Sequence, residues 1–171
     1  MLSLIIGAII YILFALGFLY AVFGGFVGGA MYMRLPDKHV QRMLKYANLG
    51  KGMLAFDLGA GCGNISFAAA ESGASVVAVE FDWLKSWWIQ RQISQKHLLN
   101  VLCVRSNLLD VDLSKADVLL CYLGDGLMDK IAEKQLKKGC VIVSCCHKIR
   151  KWNPTVVDAH KVYPIYVYEV A

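Results

Sequence analysis

The pattern of apolar and polar positions divides the chain at residue 33. Residues 4–33 read LIIGAIIYILFALGFLYAVFGGFVGGAMYM, apolar on every side of a helix. A bilayer core of about 30 Å needs about 20 apolar helical residues, so this run predicts one transmembrane helix with room to tilt. Beyond it the pattern turns periodic. Val40, Met43, Leu44 and Ala47 recur at helical spacing in residues 37–47, after Pro36 and before Gly50. Residues 53–57 read as a short buried strand that runs into LGAGCG and then a helix-like NISFAAAESG. Strands are expected at 75–80, 101–104, 116–123 and 139–146, and helices at 82–96 and 127–137. Residues 162–170 alternate Tyr and Val, with Pro164 near the beginning, which suits an edge or late antiparallel strand. Strands alternating with helices predict an α/β fold, a mostly parallel sheet with helices on both faces.

Charge follows the same division. The 18 basic and 13 acidic residues all fall within residues 34–171. The expected organisation is therefore a transmembrane anchor, 1–33, and one folded domain, 34–171. This also explains why a chain that is 57% hydrophobic carries only 18% charge. A cleaved signal peptide fits less well: there is no basic start, the apolar run is too long and no A-x-A site follows. Arg34, Lys38, Arg42, Lys45 and Lys51 crowd the far side of the apolar run. The positive-inside rule then puts the domain on the cytoplasmic side of a single-pass protein, or on the matrix side of an organelle. The same cations suit anionic membrane lipid. Gly24/Gly28 and Gly25/Gly29 fit small-xxx-small helix packing, which implies a homodimer through the helix.

Six cysteines occur without a C-x-x-C pair, so reduced thiols are expected and no metal site. Cys145 and Cys146 end a strand-like VIVSCC and read as core residues rather than ligands. The net charge of +5 is modest, and no basic stretch is interleaved with aromatics, so no nucleic-acid partner is expected.

The chemistry concentrates in FDLGAGCG, where the first strand of the domain meets a helix. Gly59, Gly61 and Gly63 let the backbone turn sharply and approach a ligand closely. The helix start beyond them offers free N–H groups. The next strand ends at Glu80, where an acid can accept hydrogen bonds from both hydroxyls of a ribose. The spacing is G-x-G-x-G rather than the dinucleotide G-x-G-x-x-G. Asp57, two residues ahead of Gly59, sits badly beside a pyrophosphate but suits a cationic amino-acid end. S-adenosylmethionine is therefore the expected cofactor rather than NAD. Asn107 follows the third strand; it is read either as a polar contact at the adenine edge or as a loop cap.

With these segments in view, the chain resembles the archaeal broad-specificity protein-lysine methyltransferases. It is also similar to the mitochondrial lysine methyltransferases of the ATP synthase c-subunit and the ADP/ATP carrier. The stretches that carry the resemblance are PDKHVQRMLKYA, FDLGAGCGNISFAAA, VAVEFD, SNLLDVDLSKADVLLCYL, KQLKKGCVIVS, IRKWNP and VYPIYVYEV. The resemblance implies a Rossmann-like class I methyltransferase, with Asp57, Gly59, Gly61, Glu80 and Asn107 as cofactor contacts. It places Tyr122 and Leu123 beside the transferred methyl. Cys62-Gly63-Asn64 departs from the Asp-Gly-Arg usual in that family, and YMRLP replaces a proline-rich entry. Both departures allow a different methyl acceptor.

Methyl transfer to lysine needs a neutral amine, which burial favours, so no strong general base is demanded. Tyr122 is the catalytic candidate, orienting the amine by its hydroxyl or ring face, with plain packing as the other reading. Asp125 is a weaker candidate for guiding a cationic substrate. Trp83, Trp87 and Trp88 are expected to pack at least in part against the sheet, with a membrane-surface role as the alternative. No role is expected for the histidines. The expected partner is a protein with an accessible lysine near a membrane. The alternatives are a lipid, quinone or other small membrane molecule as acceptor, or a catalytically silent cofactor-binding protein.

Overall fold

The computed structural model describes residues 1–23, 33–124 and 126–171. The chain divides into two compact units, Met1–Met33 and Arg34–Ala171. In the first unit a single helix, α1 (Leu2–Phe23), carries no charged residue, and its window Ser3–Tyr20 has no buried share. It is long and apolar enough to cross a membrane. The glycine pairs at 24/28 and 25/29 lie outside the described residues, as does Asp125.

The second unit runs α2 (Asp37–Ala47), β1 (Leu54–Leu58), α3 (Asn64–Ala70), β2 (Ser75–Glu80), α4 (Trp83–Gln95), β3 (Val101–Arg105), β4 (Val118–Cys121), α5 (Leu127–Ala132), β5 (Val141–Cys145), β6 (Val156–Asp158) and β7 (Ile165–Glu169). The strands form one sheet in the order β3-β2-β1-β4-β5-β7-β6. β1 to β5 are parallel, and β7 runs antiparallel to both β5 and β6. This is the mostly parallel α/β sheet that the alternation predicts, and it matches the Rossmann-like methyltransferase fold that the resemblance implies.

The strands read as continuous apolar runs because both faces are covered. On one face Ala55, Val76, Leu120 and Val143 meet Val40 and Met43 of α2 and Ile65 and Ala69 of α3. On the other Phe56, Leu58, Leu119 and Ile142 meet Met128 and Ile131 of α5. Strands are added on one side of β1 up to β3 and on its other side from β4 onward, so the crevice beyond the C-terminal ends of the parallel β1 and β4 is the natural ligand position.

Three features depart from expectation. The helix expected over 127–137 stops at Ala132. Leu136 turns into the second core while Lys134 reaches the Leu109 carbonyl and Lys137 pairs with Asp117, so the segment leaves the helical path. The 162–170 segment forms β7, a late antiparallel strand as one of its two readings has it, and a short strand not expected from the sequence, β6, takes the sheet edge beside it. The three-residue β6 is too short and too exposed to show a pattern. The helix of residues 82–96 forms as α4, with Asp82 capping the Leu84 and Lys85 amides. Its tryptophans, however, face outward; Ser86 and Ile89 face the sheet instead.

Candidate active site

Asp57, Gly59, Gly61, Glu80, Asn107 and Tyr122 lie at the C-terminal edge of the parallel strands. β1 delivers Asp57 just before its end, and the chain then turns through three glycines, Gly59, Gly61 and Gly63, all with φ in the left-handed region. Backbone bonds from Gly59 and Ala60 to the Val79 carbonyl, both 2.9 Å, pin the turn to β2. A Cβ on Gly59 would come within 2.8 Å of Leu123 Cδ2, so the turn presses against the end of β4. Only glycine satisfies both the φ and the contact there.

Asp57 is buried, and the Ser66 hydroxyl of α3 donates to its Oδ2 at 2.5 Å. Burial pushes its carboxyl up to about 6, against the lowering effect of the Ser66 bonds. The neighbouring Glu80 carboxyl raises it further. A cation arriving next to this carboxyl would relieve the cost.

Glu80 is also buried. Its Oε2 accepts from the Gly61 amide at 2.7 Å and its Oε1 from the Asp82 amide at 2.9 Å. The acid therefore braces the glycine turn to the start of α4. Each carboxylate oxygen keeps a further lone pair for a ligand hydroxyl.

Asn107 follows β3 and is exposed; its Oδ1 accepts from the Leu109 amide at 3.0 Å. The side chain caps its own loop, and only the amide donors are left to face a base. Asn64 donates to the Leu35 carbonyl at 2.9 Å, tying the start of α3 to the segment that enters α2.

Tyr122 leaves β4 half-buried on the same face as Asp57, packed at the rim of the first core. Burial raises its phenol to about 12, with Cys146, Tyr163 and Cys145 as its electrostatic neighbours. Three of these surroundings escaped sequence reading. Ser66 is the buried polar residue of α3 and meets Asp57 of β1. Cys146 follows β5 with φ +73, and its amide donates to the Pro164 carbonyl at 2.8 Å. Tyr163 packs its ring 4.3 Å from buried His39. The available signals were the break after VIVSCC and the Tyr-Pro step.

His39, given no role from sequence, belongs to a polar cluster. Its Nδ1 lies 2.8 Å from Arg42 Nη1, and Arg42 Nη2 pairs with Asp158 at 2.7 Å. Tyr46 adds a bond to the same carboxylate. Burial and the cations Lys38 and Arg42, together with His160, hold the His39 pKa below its ordinary value. The cluster clamps α2 onto the turn between β6 and β7. The IRKWNP segment is tied down in a similar way: Ile149 is buried, its amide donates to the Tyr168 hydroxyl at 2.9 Å, and Trp152 stacks edge-on against the Tyr168 ring.

Comparisons with known proteins agree with this geometry. The family model described as the ANTKMT methyltransferase domain matches residues 57–156. A protein-lysine N-methyltransferase of Saccharolobus islandicus is 30% identical over 149 residues, covering 81% of this chain and 92% of that one. An RNA methyltransferase from Salinibacter ruber, solved with S-adenosyl-L-homocysteine, superposes with a TM-score of 0.77 at 25% identity. That match covers 81% of this chain and 94% of its partner. A precorrin-6y C5,15-methyltransferase from Geobacter metallireducens shares the fold, with a TM-score of 0.62 at 18% identity, covering 81% and 89%.

The residues fit S-adenosylmethionine as cofactor: a glycine turn with no room for a Cβ, a braced acid with spare lone pairs, and a buried carboxyl that a cation would favour. The chain belongs to the ANTKMT methyltransferase domain family and is an S-adenosylmethionine-dependent methyltransferase.

Proposed function

We propose that the protein methylates lysine side chains of a protein substrate at a membrane. The observation that carries this reading is the 30% identity to a protein-lysine N-methyltransferase across 81% of the chain. Asp57, Gly59, Gly61, Glu80 and Asn107 would hold the cofactor. Bound there, it supplies a methyl group on a sulfonium, which passes to a neutral amine as the carbon–sulfur bond breaks and the sulfur leaves as a thioether.

The chain's own part is to position and to exclude water. Tyr122 offers an aromatic face and a phenol that stays protonated at neutral pH, since burial raises its pKa. It can accept a hydrogen bond from the amine while the ring flanks the cationic product. A half-buried rim also favours the uncharged lysine before transfer. No side chain needs to take the proton in the same step, because the product ammonium releases it to water.

Membrane anchoring rests on α1, uncharged and apolar throughout. The cations from Arg34 to Lys51 would then keep the domain on the cytoplasmic or matrix side and contact anionic lipid.

The test is transfer of a labelled methyl group from S-adenosylmethionine into a host membrane extract, with protein and lipid separated and digested. Methyl-lysine in the protein fraction, lost in Tyr122→Phe with cofactor affinity unchanged, is the expected result. Label confined to the lipid fraction would assign a small membrane acceptor instead. Cofactor binding without any label would overturn the enzymatic reading.

A further inference from the structure

We infer that the first two turns of α4 are a membrane-contact surface, on which the domain lies against anionic lipid headgroups. Phe81, Trp83, Leu84, Trp87 and Trp88 form this surface. Exposures are 58% for Trp83, 51% for Trp87 and 44% for Trp88, and Phe81 and Leu84 are exposed beside them. Residues at i, i+1, i+4 and i+5 share one side of a helix, so the four on α4 make one continuous patch.

The packing of α4 shows that the core does not need these rings. Ile89 is buried against Ala60 and Ala78, with Ile93 of the same helix, Phe67 and Cys103 around it, and none of the three tryptophans belongs to this cluster. Ser86, the other buried residue of α4, meets Cys103 Sγ at 3.5 Å. A polar residue faces inward and three tryptophans face outward, the reverse of a helix serving only its own core.

The composition of the patch selects the occupant. Tryptophan favours the headgroup level of a bilayer, where its ring is half in hydrocarbon and its N–H remains solvated. The surrounding charge is cationic. α4 holds Lys85 and Arg91 and no carboxylate between Trp83 and Gln95. Arg91 lies over the Trp87 ring at 5.8 Å, and Arg105 reaches the Phe81 carbonyl at 3.5 Å. The carboxylate at the head of the helix, Asp82, is engaged in capping it. Cations around an aromatic patch match an anionic lipid surface.

This inference rests on the anchored reading, because α1 in a bilayer holds the domain within reach of that surface and makes a weak patch sufficient. The patch begins one residue after Glu80, at the C-terminal edge of the sheet, so a domain resting on it turns its cofactor edge toward lipid.

The test uses the full chain in phosphatidylcholine vesicles with about one-fifth phosphatidylglycerol, with or without brominated acyl chains. Trp152→Phe leaves only the three patch tryptophans as fluorophores; Trp83→Phe/Trp87→Phe/Trp88→Phe leaves only Trp152. Brominated lipid is expected to quench the patch emission about twofold or more and to leave Trp152 unchanged, as interfacial depth requires. Unchanged circular dichroism and cofactor affinity show that both variants fold. A carbonate wash reads the anchor separately. Protein that resists the wash while iodide, and not bromolipid, quenches the patch overturns this inference and leaves the anchor standing. Emission shielded from both quenchers also overturns it, since a second copy or a protein partner then covers the patch. Release by the wash after bromolipid quenching overturns the anchored reading and supports the patch as the contact.

Discussion

Ser66 of α3 donates a 2.5 Å hydrogen bond to Asp57 of β1, inside a region otherwise built from alanine, valine and leucine. This bond keeps a carboxylate tolerable where burial works against it. Asp57 titrates near 6 instead of in the usual carboxylate range. The folded state therefore binds the proton more tightly than the unfolded chain, and this group's contribution to stability falls as pH rises from about 4 to about 6. A cationic ligand reverses the preference. Cofactor affinity is expected to weaken about tenfold per pH unit below about pH 6 and to level off above it. Asp57→Asn should flatten this profile while binding more weakly at pH 7. Calorimetric titration from pH 5 to 8 reads both.

Glu80 supports two backbone amides as well as a ligand position. In Glu80→Gln, one of the two amides meets an NH2 group instead of an acceptor. A buried N–H left without a partner costs about 1–3 kcal/mol, so stability should fall by that order along with cofactor affinity. Denaturant unfolding with and without S-adenosyl-L-homocysteine separates the two losses. A variant of wild-type stability would show that the brace is dispensable.

Gly59→Ala places a methyl group 2.8 Å from Leu123 Cδ2 at a backbone φ of +76. The left-handed conformation alone costs an L-residue about 1–2 kcal/mol, and Leu123 must move aside as well. Cofactor binding should drop with stability, because the turn shapes both. Gly50→Ala is the control: its Cβ meets nothing within 4 Å and its φ is not in the left-handed range. That substitution should leave Tm and binding near wild type.

Arg42 holds Asp158 below the usual carboxylate range, chiefly by a direct hydrogen bond. A depressed carboxylate stabilises the fold above its unfolded value, and the effect is lost as pH falls through the folded one. Arg42→Ala should lower Tm by about 2–6 °C at pH 7, and the gap from wild type should narrow as pH falls below about 4 toward the lowered folded value. Thermal scans at pH 7 and at about pH 2 measure it. An equal gap at both values would show that Arg42 acts by packing alone.

The local signals were the ones legible in the chain. A glycine turn between a buried strand and a helix demands φ values that only glycine adopts cheaply, so FDLGAGCG announces its own geometry. Glu80 is placed by strand length, and α1 by an absence of charge over 33 residues; both are one-dimensional facts. The resemblance added Tyr122, which spacing alone does not distinguish from a packed ring, and favoured a cofactor contact over a loop cap for Asn107.

What the tertiary structure decided depends on contacts between distant segments. Ser66 reads as a small helix residue until β1 brings Asp57 against it. His39, Arg42 and Asp158 are 116 residues apart at their extremes of pairing and meet only because β7 folds back antiparallel to β5. The outward turn of the tryptophans was hidden for the same reason. A helix pattern gives relative angles between residues, but the sheet decides which side it covers, and here the small Ser86 and Ile89 fit the surface of β2 and β3 where an indole would not.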